Sequence, residues 1–148
     1  MSKITQSEYE TLAAFRYSLR LFIHFSEEAA YSVGLTPQQH QALLSIKGFP
    51  SRDKITITEL AERMQIRHQS AVGLVNRLMA QGLLVREQSR TDRRQVYTTL
   101  SAKGLAILEQ LSAIHKEELR RMLPQLRQLI ERLSTDEAFD PNLLTKNA

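Results

Sequence analysis

Apolar residues recur at steps of three and four along most of the 148-residue chain, the period of an amphipathic helix. The first such run carries Leu12, Phe15, Leu19, Phe22, Ile23 and Ala30. Ser7 and Glu10 ahead of it have the spacing of a capping box, in which two side chains satisfy N–H groups that a first helical turn leaves open. Gly34 is placed to end the run in the left-handed conformation. A second helix is predicted from Thr36 as cap, Pro37 at the first helical position and Gln39 completing another box. It carries Ala42, Leu43 and Ile46 and stops at Gly48, with Pro50 preventing continuation. Residues 51–55 read as a short polar connector. Thr56 and Glu59 form a further box before a short helix with Leu60, Ala61 and Met64 on one side. A turn at Gln65 and Ile66 leads to a longer helix over about 68–81, closed by Gly82, whose buried stripe is Ala71, Leu74, Val75 and Leu78.

The pattern then changes to alternation. LLVREQ and QVYTTL flank the polar tip SRTDRR as the two strands of a hairpin would, with Val96, Thr98 and Leu100 on one face and Tyr97 and Thr99 on the other. Ser101 is positioned to cap the next helix, which carries Leu105, Leu108, Leu111, Ile114 and Leu119. Pro124 is predicted to interrupt it and start another, with Leu126, Leu129, Ile130 and Leu133. The expected fold is mainly α with a small β-hairpin wing, a winged helix-turn-helix plus a helical dimerisation domain, the aliphatic stripes from 105 to 133 suiting a partner subunit, with the core of a monomer as their alternative. The expected divisions are N-terminal helices at 1–50, a winged helix-turn-helix lobe at 51–100, C-terminal dimerisation helices at 101–134 and a tail at 135–148, with Phe139, Leu143 and Leu144 as anchors.

Charge adds a location to this outline. The net charge of +4 lies entirely in residues 51–94, which hold nine Lys/Arg against five Asp/Glu, while the flanking segments balance to zero. Eight of the nine are arginine, whose planar fork suits phosphates and guanine edges. A solvated basic face is the alternative reading of such a cluster. Cysteine is absent, which excludes disulfides, thiolate zinc sites and cysteine nucleophiles. No apolar run is long enough to span a bilayer, and MSKITQSEYE lacks the apolar core of a secretory signal, so the chain is expected in the cytoplasm with no membrane partner.

A helix-turn-helix followed directly by a hairpin fits its second helix into a major groove and its hairpin against phosphates or a minor groove. The residues so placed are Arg67, His68, Gln69 and Ser70 at the start of that helix, Gly73, Asn76 and Arg77 further along it, and Arg90, Asp92, Arg93 and Arg94 in the wing. Gln69 and Asn76 can bond an adenine edge and Arg67 a guanine edge, each bidentate contact giving roughly 1–3 kcal/mol of discrimination. Arg77 suits a phosphate or an internal pair.

The stretch from Gln69 to Gly104 resembles the recognition helix, wing and following helix start of the MarR family of regulators. The matching elements are N-R-L-x-x-x-G-L-V-x-R (Asn76 to Arg86), the wing D-x-R (Asp92 and Arg94) and L-[ST]-x-x-G (Leu100, Ser101, Gly104), preceded by L-T-P-x-Q (Leu35 to Gln39) and I-T-x-x-E-L-A (Ile57 to Ala61). The resemblance covers about residues 10 to 134. It implies a two-fold homodimer whose N- and C-terminal helices interlock, an Asp92–Arg94 pair that stiffens the wing, and Arg90 or Arg93 entering a minor groove. It also implies a repressor released by a small aromatic or phenolic ligand. Arg16, Tyr17, Arg20, His24 and His40 are the candidates for lining such a pocket, and ordinary surface or interhelix positions are their alternative. Val72 and Gly73 depart from the family, standing where many relatives carry a hydroxyl residue and a long polar or basic one.

His24 with Glu27 and Glu28, and His115 with Glu118, have helical metal-ligand spacing, but no third ligand is evident, so neither a metal nor another cofactor is expected. No Ser-His-Asp grouping, phosphate loop or paired carboxylates point to an enzyme. The expectation is a sequence-specific regulator binding a near-palindromic double-stranded DNA operator. The alternative is a winged-helix protein-interaction module that does not bind DNA.

Overall fold

The structure, a computed structural model, describes residues 3–135. In order these form α1 (Gln6–Ser32), α2 (Pro37–Lys47), β1 (Lys54–Ile55), α3 (Ile57–Met64), α4 (His68–Ala80), β2 (Leu84–Gln88), β3 (Val96–Leu100) and α5 (Ala102–Ser134). The strands make one antiparallel sheet in the order β1–β3–β2. The described residues divide into two units, a lobe of Glu27–Ala113 and a helical unit of residues 3–26 with 114–135. None of the described helices is long and apolar enough to cross a membrane.

The lobe is built where the helical stripes meet. Leu43 and Ile46 of α2, Leu60 of α3, and Leu74 and Leu78 of α4 are all fully buried in one cluster with Ile55 and Leu83. Two of its helices start as their cap residues predict. Thr36 accepts from the Gln39 amide at 3.1 Å and its own amide donates back to Gln39 Oε1 at 3.1 Å. Thr56 and Glu59 exchange the same pair of bonds around the first turn of α3. The sheet is larger than the hairpin alone: Lys54 and Ile55, within the segment expected to be a connector, pair with Thr99 and Thr98 of β3. Two residues are too few to show an alternating pattern, and it is the buried Ile55 side chain that fastens this strand to the core.

Gly82 turns the chain from α4 into β2 with φ +75°, a conformation that a Cβ disfavours. Ser101 then ties the start of α5 to this turn: its amide donates to the Leu83 carbonyl at 3.0 Å and its hydroxyl to the Gly82 carbonyl at 2.6 Å. A Cβ at position 104 would lie 2.2 Å from the Leu83 carbonyl oxygen, so only glycine allows this approach.

In the helical unit, α1 starts earlier than Ser7 and Glu10 suggest. The box is Thr5 with Glu8, the Thr5 amide donating to Glu8 Oε1 and the Glu8 amide to Thr5 Oγ1, both at 3.1 Å. Ser7 instead lies inside the first turn and its carbonyl accepts from the Thr11 hydroxyl. α5 runs without a break through Pro124, contrary to the expected division into two helices. Proline removes one hydrogen bond, to the Arg120 carbonyl, but strong helix formers on both sides (Arg121, Met122, Leu123, Gln125, Leu126) carry the helix across the gap. Of the residues with metal spacing, His115 Nε2 meets the Ser26 hydroxyl at 2.8 Å between the edges of Phe22 and Phe25, and Glu118 accepts from Arg121 Nε at 3.1 Å. The expected tail and its anchors Phe139, Leu143 and Leu144 lie outside the described residues.

Candidate nucleic-acid interface

The turn between α3 and α4 is tight because Gln65 takes the left-handed conformation (φ 54°), letting the Ile66 amide reach back to the Ala61 carbonyl at 3.0 Å. α4 then begins at Arg67 in extended conformation with no side-chain cap. The other four described helices have a Thr or Ser hydroxyl accepting from their first turn: Thr5, Thr36, Thr56 and Ser101. The first N–H groups of α4 are therefore open to an outside acceptor. Ala71, Leu74, Val75 and Leu78 face the core, which turns Gln69, Gly73, Asn76 and Arg77 outward. Arg67, His68, Gln69, Ser70, Asn76 and Arg77 are all exposed, with Gly73 half-buried.

The hairpin tip is held by a small network. Ser89 Oγ accepts from the Asp92 amide at 3.2 Å and the Thr91 amide at 3.3 Å, and the Gln95 amide closes onto the Asp92 carbonyl at 3.1 Å. Asp92 Oδ1 accepts from the main-chain amide of Arg94 at 3.0 Å. The expected Asp92–Arg94 pair is thus corrected in kind: the carboxylate braces the turn through the backbone, because a side chain two residues away reaches its neighbour's N–H more directly than its guanidinium. Arg94 is left exposed beside Arg90 and Arg93.

Partnering sorts the nine basic residues of this segment. Arg52 is bonded to Glu59 and lies 4.3 Å from the Phe49 ring centroid, and Lys54 meets Glu87 at 3.2 Å. Arg63 packs over Phe49, and Arg86 donates to Asn76 Oδ1 at 3.3 Å. Among the described residues Arg67, Arg77, Arg90, Arg93 and Arg94 have no carboxylate partner. These five belong to the outer side of α4 and the wing tip. Arg52, Tyr97 and Ser89, absent from the sequence-derived site, brace it: Tyr97 takes Arg52 at 5.2 Å and Lys54 at 4.8 Å against its ring, and its hydroxyl donates to Gln95 Oε1 at 3.0 Å. Of the residues considered for a ligand pocket, Arg16, Tyr17, Arg20 and His24 are exposed on α1, and His40 is buried in α2.

Residues 33–95 match the sequence profile of the MarR family. Among curated proteins the chain is similar to the HTH-type transcriptional repressor MdtR of Bacillus subtilis (strain 168), at 29% identity over 96 residues. That match covers 65% of this chain and 60% of MdtR, so it spans less than two thirds of the relative's length. Among solved structures the fold is similar to a MarR family protein from Bacillus stearothermophilus (TM-score 0.71, 20% identity, 97% of this chain and 89% of that one). It is similar also to AbsC, a MarR family transcriptional regulator from Streptomyces coelicolor (TM-score 0.67, 20% identity, 99% and 90%). A point mutant of S. aureus MepR, solved bound to an oligodeoxyribonucleotide, has the same fold (TM-score 0.63, 17% identity, 90% and 96%).

Proposed function

We propose, from the match of residues 33–95 to the MarR family profile, that this chain is a MarR family transcriptional regulator and that it binds double-stranded DNA sequence-specifically as a homodimer. The observation that carries the reading is the set of five exposed arginines that have no side-chain partner among the described residues, Arg67, Arg77, Arg90, Arg93 and Arg94, on one helix and the adjoining wing tip. Unpaired cations in that arrangement release counterions from a phosphate backbone, the main source of affinity for DNA. The uncapped start of α4 supports it, since a phosphate oxygen satisfies open helical N–H groups and is favoured by the helix dipole. His68, Gln69, Ser70 and Asn76 would face base edges in the major groove, and the wing, braced by Asp92, would lie along the backbone or in the adjacent minor groove. Two copies related by a two-fold axis would set their α4 helices about one helical turn apart, roughly 34 Å, on a near-palindromic operator.

Repression is the direction of control we infer, supported by the similarity to MdtR, which is named as a repressor. Release by a small aromatic or phenolic ligand belongs to the same proposal and rests on the family resemblance; titrating aromatic acids into the protein–DNA complex tests it.

The main test is retention of DNA flanking the chain's own gene across a salt series. The wild type is expected to retain a specific fragment and lose it steeply as salt rises. Arg93→Ala or Arg90→Ala should weaken binding to all sequences alike and flatten the salt slope by about one unit per lost phosphate contact. A protein that retains no DNA even at low salt would instead be an interaction module.

A further inference from the structure

Asn76 is an ambiguous reader of bases. A carboxamide that offers donor and acceptor side by side matches adenine N7 and N6–H, whereas one that offers donors alone matches an acceptor edge, above all guanine N7 and O6. The structure shows Asn76 already engaged: Arg86 Nη2 lies 3.3 Å from its Oδ1. A guanidinium has donors only, so the atom facing it has to be the amide oxygen, which turns the Nδ2–H groups to the other side.

The pair follows from how the strand is built. Leu84 is buried, and alternation puts Arg86 next on the same side of β2, while Val85 and Glu87 point the other way, where Glu87 accepts from Lys54. Arg86 therefore continues the core-facing row just past the point where the core ends, level with Asn76 on the exposed side of α4. A second cation lies close by. The guanidinium of Arg77 folds back along α4 over Gly73, its Nη1 3.3 Å from where a Cβ at that position would be. With one guanidinium on the amide oxygen and another on the same turn, a base edge that donates meets like polarity, and an edge that accepts meets N–H groups.

Resting on the DNA-binding reading above, we propose that Arg86 is a positioning residue that makes Asn76 a hydrogen-bond donor, so that the base pair beneath the second turn of α4 is read at a guanine edge rather than an adenine one. Gly73 serves the same arrangement by leaving the surface on which Arg77 lies.

The test uses the full chain. A site is first selected by the wild type from a randomised duplex pool. Every position of one half-site is then changed to each of the four base pairs, and binding is measured for the wild type, Arg86→Gln, Arg86→Lys and Asn76→Asp. The wild type is expected to prefer guanine by roughly tenfold at one position that responds to Asn76→Asp by turning towards cytosine, whose N4–H₂ suits a carboxylate. Arg86→Gln, which can itself accept and so lets Asn76 turn over, should cut that preference to about twofold at that position alone. Arg86→Lys, still only a donor, should restore it. Uniform weakening by Arg86→Gln with every base preference intact would make Arg86 a phosphate contact and overturn the proposal. So would a wild-type preference for adenine at the Asn76-dependent position, with DNA binding itself untouched. If the wild type selects no site from the pool, the DNA-binding reading falls and takes this one with it.

Discussion

Glu59 shows how much one side chain can hold at the residue scale. At the third position of α3 its Oε1 accepts from the Thr56 amide at 3.0 Å, and its Oε2 holds Arg52, which in turn stacks on Phe49 and reaches Tyr97. Burial pushes the carboxyl pKa up, but the Thr56 amide and hydroxyl and the Arg52 guanidinium together outweigh it and hold the group below its ordinary 4.5. A carboxyl whose folded pKa is depressed stabilises the fold above its unfolded pKa, and that contribution is lost as pH falls through the folded value. The denaturation midpoint of the wild type should therefore exceed that of Glu59→Gln by its full margin at pH 7, and the margin should close as pH drops below 4.5. A margin unchanged down to pH 3 would show that the charge plays no part. The Thr56 half of this site was legible in the sequence, because a capping box is a local spacing. The Arg52 half was not, since it spans a turn and a strand whose geometry no local pattern encodes.

At the scale of the element, the wing depends on Ser89 rather than on the ion pair implied by family resemblance. One hydroxyl accepts from two successive amides at the tip, those of Thr91 and Asp92. Ser89→Ala should leave the core intact and free the tip: amide exchange at residues 91–94 is expected to quicken severalfold while α3 and α4 exchange as before, since a local opening does not require global unfolding. Unchanged exchange at the tip would mean that Asp92 alone is enough. The helices and the hairpin were readable because each repeats its signal over several turns or pairs. β1 and the course of α5 were not: two residues carry no period, and whether a proline breaks a helix depends on whether the turns on either side outweigh the lost hydrogen bond, a balance that no spacing shows.

Over the whole molecule, the distribution of charge and apolar surface has a direct consequence. In the helical unit Leu12, Leu19 and Ile23 of α1 and Leu119, Leu123 and Ile130 of α5 are all exposed. These side chains are 37–53% exposed, so a second copy of the chain that covered them would recover about half of the roughly 1.5–3 kcal/mol that full burial of each is worth. The double variant Ile23→Asp with Leu123→Asp should halve the mass measured by light scattering, keep its helical circular dichroism, and lose most affinity for a two-half-site operator while retaining weak binding to one half. A wild type that is monomeric at micromolar concentration would refute this arrangement.

By itself the chain's order of residues determined the helix starts at Thr36 and Thr56, the buried stripe of α4, the hairpin and the concentration of arginine between 51 and 94. These are local facts, written in spacing and composition. Which arginines are spoken for and which remain open, which way the Asn76 amide faces, and why Gly104 has no Cβ were decided only when distant segments met, because hydrogen bonds and close contacts act through space and a sequence records only neighbours along the chain.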